Sequence, residues 1–429
     1  MKTFVYDEFN PQDVAMMQAL YSRSAASVEE HVEKVRTSGS GKFMEKYYVG
    51  YGHASIADCG STTVFVEGVS MLAAKAIQDW PMYSGQETSS RYIDMSKQAI
   101  VDPVGTKASK QIMQRWMDFY TAEQGAVEAH LREKYPRKDG EDEGVYTRAI
   151  KARIFDILRG FLPAGVTTQL SWHTNLRQAH DKLSLLDHHP LKEIATISHD
   201  IHTKLKEKYP NSFGHQLYPK QEAYRKFLAD KYTYYFNGKV RGFKTTTTIR
   251  PTELMAYKDV LMKRPIKTNL PNFLAELGMV TFEFLLDFGS FRDIQRHRNG
   301  VCRMPLLTTS YGFHEWYLAQ LPRETRTRAE KLIKEQVRAI KALKVSKDSA
   351  QYYVAMGFKV ACRVSYGIPA AVYTMELRSG RLVHPTLRAV AHQMYRGLKK
   401  KFPKLTLHAD LDLDDWDIRR GLQDIKEKK

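Results

Sequence analysis

The chain has 429 residues, 43% hydrophobic and 27% charged, and its 66 Lys and Arg against 48 Asp and Glu give a formal net charge of +18. That length holds two or three domains with sizeable cores. No apolar run approaches the roughly 20 residues of a membrane span, and acidic residues near the N-terminus speak against a signal peptide, so a cytoplasmic protein is expected. The positive excess predicts attraction to polyanions, which include nucleic acid but also nucleotides, dinucleotide cofactors and folates.

In chain order, Gly39-Ser-Gly41-Lys42 lacks the spacing of a phosphate loop and reads as a flexible turn. Residues 62–69 are dense in β-branched side chains and predict a strand, with a helix over 70–80. Ile112, Trp116, Phe119 and Tyr120 fall at helical spacing. Residues 214–265 have no clear period and read as a linker or an inserted hairpin. Beyond them, residues 280–288 predict a second strand and 290–297 a helix, followed by Leu332, Val337, Ile340 and Leu343 at helical spacing. The acidic stretch 410–417 has no cation-site spacing and reads as a solvated tail. Cys59, Cys302 and Cys362 are too few and too dispersed for a disulfide framework or a zinc site. No metal is expected, and nothing marks a cysteine as an activated nucleophile.

Short strings repeat in the same order. Pro163-Ala-Gly-Val-Thr-Thr168 recurs as Pro369-Ala-Ala-Val-Tyr-Thr374, His189-Pro190 as His384-Pro385, and Leu205-Lys-Glu-Lys-Tyr-Pro210 as Leu398-Lys-Lys-Lys-Phe-Pro403. The expected fold is α/β (α+β), with two tandem halves over residues 1–215 and 266–429, each a β-sheet packed with long helices. Residues 216–265 would join them.

Two pieces of sequence carry the chemistry. Residues 84–92 read Ser-Gly-Gln-Glu-Thr-Ser-Ser-Arg-Tyr, and residues 296–298 read Arg-His-Arg. In the flavin-dependent thymidylate synthases they are contiguous, as R-H-R-x-x-S-x-N-E-x-S-x-R-Y. The first half resembles that family along most of its length. Gly52-His53-Ala-Ser55 is like its G-H-x-[ST]; Ser84, Glu87, Ser89, Arg91 and Tyr92 match the signature, with Gln86 in place of Asn. Arg159-Gly-Phe-Leu-Pro163, Thr168, Trp172, Asn175 and Arg177 fit R-x-x-L-P…T…W-x-x-N-x-R. Asp79-Trp80-Pro81 stands where the first half would carry the Arg-His-Arg triad. The second half resembles the family more remotely, through Arg296-His297-Arg298, Ile368-Pro369 and Thr374.

The resemblance implies thymidylate synthase-complementing-protein-like halves and a homodimer that mimics a tetramer, with each site divided between first-half and second-half residues. Glu87, Ser89, Arg91, Arg159 and Gln86 would hold dUMP or a related pyrimidine nucleotide. Arg296, His297, Arg298, His53, Asn175 and Arg177 would hold FAD. The implied reaction is a reductive one-carbon transfer from methylenetetrahydrofolate, with NADPH as reductant and no enzyme nucleophile. A nucleotide-binding arginine of the family falls near Leu185-Leu186 and is lost, leaving Arg378, Arg381 or Arg388 of the second half to replace it. The alternatives are dCMP or a hydroxymethyl product, uracil within a polynucleotide, or a non-catalytic basic protein that binds nucleic acid or a partner.

Overall fold

The computed structural model describes residues 8–24, 26–414, 416, 419 and 420. The start of the chain and part of the acidic 410–417 stretch lie outside the described residues. The fold is mixed α/β, with small sheets packed against long helices. Among the described residues no helix is long and apolar enough to cross a membrane. Contacts divide the chain into a smaller unit (residues 1–69, 73–87 and 169–233) and a larger one (70–72, 88–168 and 234–429). These units do not follow the expected halves. The larger one combines a first-half segment with everything after residue 233, and the cut falls inside the 84–92 motif, between Glu87 and Thr88.

In the smaller unit, helix Pro11–Tyr21 packs on helix Val28–Ser38 through Met16, Met17, Val32 and Val35. The second helix starts with a capping box between Ser27 and Glu30. Strand β1 (Ser61–Ser70) takes the expected β-branched run and leads into helix Met71–Gln78. It pairs with β2 (Thr167–Asn175) in a two-stranded sheet. Helices Leu176–Leu186, Lys192–Lys208 and Pro219–Tyr232 complete the unit.

The larger unit holds a four-stranded sheet. Its strands are β3 (Lys244–Thr247), β4 (Met279–Asp287), β5 (Gly300–Cys302) and β6 (Lys359–Gly367), in the antiparallel order β3-β4-β6-β5. The aperiodic stretch is therefore partly sheet, since Thr245, Thr246 and Thr247 lie on the β3 edge. Alternation on β4 buries Val280, Phe282, Phe284 and Leu286. The two apolar stripes seen in the sequence lie on helices Lys107–Ala122 and Arg323–Ala342. Ile112, Trp116, Phe119, Tyr120, Leu332 and Ile340 are buried, and Gln336 Nε2 donates to the Ile112 carbonyl at 2.6 Å.

A local two-fold relation links the copies. Ala164 N donates to Val354 O and Gly165 N to Tyr352 O, while Met356 N donates to Leu162 O and Gly357 N to Gly160 O. Pro163 faces Ala355 at the centre of this antiparallel crossing. One constant residue offset exchanges the two pairs of bonds, and the same offset lays β2 on β6 and helix Leu176–Leu186 on helix Ile368–Ser379. This corrects the register read from the strings. Pro163 precedes β2, whereas Pro369 sits in the first turn of a helix that follows β6. Its true counterpart is Ala355. The likeness is coincidental, because proline suits both a strand entry and a first helical turn.

Candidate active site

The larger unit gathers most of the residues in question. Beyond Glu87 the chain turns at Ser89, whose hydroxyl accepts from Arg91 N at 3.3 Å. Ser90 is buried, and its hydroxyl accepts from Arg292 Nη1 at 3.0 Å. Arg91 places its guanidinium fork on Asp156, with Nε at 2.6 Å and Nη2 at 3.0 Å from the two carboxylate oxygens. Its Nη1 donates to Leu382 O at 3.1 Å. Asp156 lies on the buried face of helix Glu143–Leu158, and the tail residue Arg420 also pairs with it. Arg91, Arg153, Arg381 and Arg420 line a small cleft together with Asp156, Pro385 and Trp416.

Arg159 follows directly on that helix and is buried. Its Nη2 donates to Ser290 Oγ at 2.8 Å, and Ser290 in turn meets Thr386 Oγ1 at 2.7 Å and His384 Nδ1 at 3.2 Å. His384 Nε2 lies 3.2 Å from the Asp156 carbonyl, which can only accept, so Nε2 carries the proton. Burial, with Arg159 and Arg91 nearby, pushes the His384 pKa well down. This imidazole is a neutral strut between the two copies of the repeat.

Helix Phe288–Ile294 delivers the Arg-His-Arg triad. Arg378 donates from Nε to His297 Nε2 at 2.7 Å and from Nη2 to the Asp293 carbonyl at 3.0 Å. His297 is therefore neutral with its proton on Nδ1. Burial and then Arg378 push its pKa down to about 3. Arg296 is half-exposed and its Nε lies 3.7 Å from Asp293 Oδ1; Arg298 donates to the Arg296 carbonyl at 3.3 Å. Burial alone would raise the Asp293 carboxyl, but Arg296, Arg159, Arg91 and Arg378 outweigh it and hold the group below the usual carboxylate range. Guanidiniums from both halves thus favour the ionised form of one carboxylate, and Arg296 lies nearest to it. A half-exposed Arg296 beside a neutral imidazole donor fits an anionic, planar cofactor such as a flavin nucleotide.

Two candidates for the missing nucleotide arginine are engaged elsewhere. Arg381 pairs with Asp410 at 3.4 Å and with Asp412. Arg388 is buried, donating to Ser379 O at 2.7 Å and to Asp412 O, with Asp410 at 3.4 Å. The described part of the acidic stretch is exposed over residues 411–414, as expected, yet it is also tied to these two arginines. Arg378 is engaged too, with His297 and the Asp293 carbonyl, but the repeat offset places it on Leu186.

The remaining candidates belong to the smaller unit. Glu87 has a buried side chain that pairs with Lys75 Nζ at 2.9 Å and accepts from Gln78 Nε2 at 2.8 Å. The Gln86 side chain is exposed, and its backbone is tied to Ser171. Asn175 caps helix Leu176–Leu186 by accepting from Gln178 N at 2.8 Å. Arg177 pairs with Asp58 at 2.7 Å, on the turn that follows exposed His53. At the altered triad, Trp80 Nε1 donates to Gln178 Oε1 at 2.8 Å and Lys182 Nζ to the Asp79 carbonyl at 2.9 Å. Those residues form a packed structural contact. Sequence reasoning missed Asp156 and Asp293, whose only signal is an acidic residue on a largely buried helix face, and Arg420, a basic residue beyond the last helix with no signal of its own.

The pattern of the family described as thymidylate synthase complementing protein matches residues 5–211. The first half of the chain is thus similar to that family. Similarity to whole proteins reaches further. A UPF0159 protein of Chlamydia pneumoniae is 24% identical over 90% of this chain and 83% of its own length. One from Thermoplasma acidophilum is 23% identical over 96% and 98%, and one from Chlamydia muridarum 24% identical over 86% and 82%. The family match covers His53, the 84–92 motif, Arg159, Asn175 and Arg177, while the Arg-His-Arg triad lies outside it.

Proposed function

We propose that this chain is a flavin-dependent thymidylate synthase-like enzyme, transferring one carbon from methylenetetrahydrofolate to C5 of dUMP or a related pyrimidine nucleotide, with FAD and NADPH. The observation that carries this reading is that motif residues of both halves interlock in the larger unit: Arg159 bonds Ser290 and Arg91 bonds the Leu382 carbonyl, while Arg296 and Arg378 hold Asp293. FAD, when bound, would supply the hydride that completes the methyl group. The chain's own residues bind and orient. Arg91 and Arg378 take the nucleotide phosphate, since forked donors match its oxygens. Ser89 lies beside the sugar and base. Arg159 holds the two copies in register through Ser290. Arg296 and Arg298 balance the cofactor's anionic parts, and His297 offers its Nδ1 proton. Asn175 and Arg177 act through the segment that presents His53. Arg381 and Arg388 anchor the tail. No protein nucleophile is required, and burial pushes the Cys59 and Cys362 thiols up, away from a ready thiolate.

The deciding measurement is the visible spectrum of the purified protein with added FAD and then dUMP. A flavin band perturbed by dUMP, followed by dTMP formation, supports the reading. A protein that takes up no flavin refutes it. A second reading has its own observation, since Arg91 is already paired with Asp156 and Glu87 with Lys75. Under it the chain is a non-catalytic polyanion binder, which predicts DNA or RNA affinity with a steep salt dependence.

A further inference from the structure

Asp156 has two carboxylate oxygens, and its side chain is 2% exposed. Arg91 covers both oxygens with its fork. Arg420 pairs with the same carboxylate and also donates to the carbonyl of Arg91 at 3.2 Å and to that of Ala152. Its guanidinium lies 5.2 Å from the centre of the Tyr92 ring. The tail holds Arg420 there by two further contacts. Arg419 pairs with Glu141 at 2.5 Å, and Trp416 stacks on Tyr135 with centroids 4.4 Å apart.

A phosphate needs the fork that Asp156 now occupies. If Arg91 turned away alone, it would leave a buried carboxylate without a counter-charge, which is strongly unfavourable. With Arg420 in place, the carboxylate keeps a cation whichever way Arg91 points. We infer that Arg420 is a positioning residue that takes over Asp156 and so releases Arg91 to the nucleotide phosphate. The inference rests on the reading above, in which Arg91 meets that phosphate.

A stability cycle tests the hand-off without any ligand. Arg91→Gln, Arg420→Gln and the double variant of the full chain would be unfolded in urea. If either arginine suffices for Asp156, the double variant loses more stability than the two single losses combined. In an Asp156→Asn background the losses become additive, because the neutral amide needs no cation. Additive losses with Asp156 intact overturn the inference. In a calorimetric titration, Arg420→Gln should weaken dUMP binding at least tenfold and leave deoxyuridine, which lacks the phosphate, unchanged. Arg420→Lys should restore most of the affinity. Unchanged or tighter dUMP binding by Arg420→Gln overturns the inference, the tighter case marking the tail as an inhibitor. If the wild-type chain takes up no dUMP, the functional reading fails, while the urea cycle still decides the hand-off.

Discussion

Arg91 holds Asp156 and Arg296 lies by Asp293, and the two arginines face different tasks. Arg91→Ala should abolish dUMP binding and spare FAD, a loss of roughly 2–3 kcal/mol for a charge-assisted fork. Arg296→Ala should do the reverse. Equilibrium titration of each variant with both ligands checks this, and full activity in both would rule out a divided site. Acid should weaken the fold through its buried histidines. His180 is pushed down to about 4, His189 and His297 to about 3, and His384 well below its ordinary value, in each case chiefly by burial. These folded-state values are depressed, so the unfolded chain binds protons first as pH falls below about 6.5. Their contribution is whole above that point and is lost progressively toward pH 4, by up to about 1.4 kcal/mol per pH unit for each histidine. Urea midpoints measured from pH 7.5 to 4.5 should therefore fall, and a flat profile would contradict the assignment. The motif arginines were legible because fixed spacing marks them. Asp156 and Arg420 were not, since two isolated charges become a pair only when the chain folds.

At the scale of elements, β-branched density announced β1, a strand-like run announced β4, and apolar spacing announced the long helices, because each signal is local. The four-residue strand β3 was hidden in an aperiodic stretch, since its pairing with β4 is non-local. The Pro163–Pro369 likeness misled for the opposite reason. Residue identity matched while the order of strand and helix did not. Asn175→Ala should cost about 1 kcal/mol of stability, the usual value of an N-cap, and calorimetry with FAD would separate that loss from any direct cofactor contact. The crossing of the copies is more demanding. A Cβ at Gly357 would come within 2.4 Å of the Phe313 ring and 2.7 Å of the Gly160 carbonyl. Gly357→Ala should therefore destabilise by roughly 1–3 kcal/mol, and a thermal midpoint equal to wild type would show that the crossing yields easily.

For the whole molecule, the proposed pairing of two chains is supported by Phe65, which is 75% exposed on β1. Sedimentation should give a dimer for the wild type and a shift toward monomer for Phe65→Asp; a monomeric wild type would end that proposal. The duplication was legible in the order of elements, but the division into units was not, because contact in space reassigns residues 88–168 to the company of the second half. Residues 160–165 meet residues 352–357 edge to edge, so neither copy of the repeat can complete the larger unit alone. Severing the chain between Thr233 and Tyr234, where the units divide, should give two polypeptides that aggregate when produced singly, each exposing unpaired backbone edges. Produced together, they should find one another and fold as a heterodimer held by a joint that the intact chain carries inside itself.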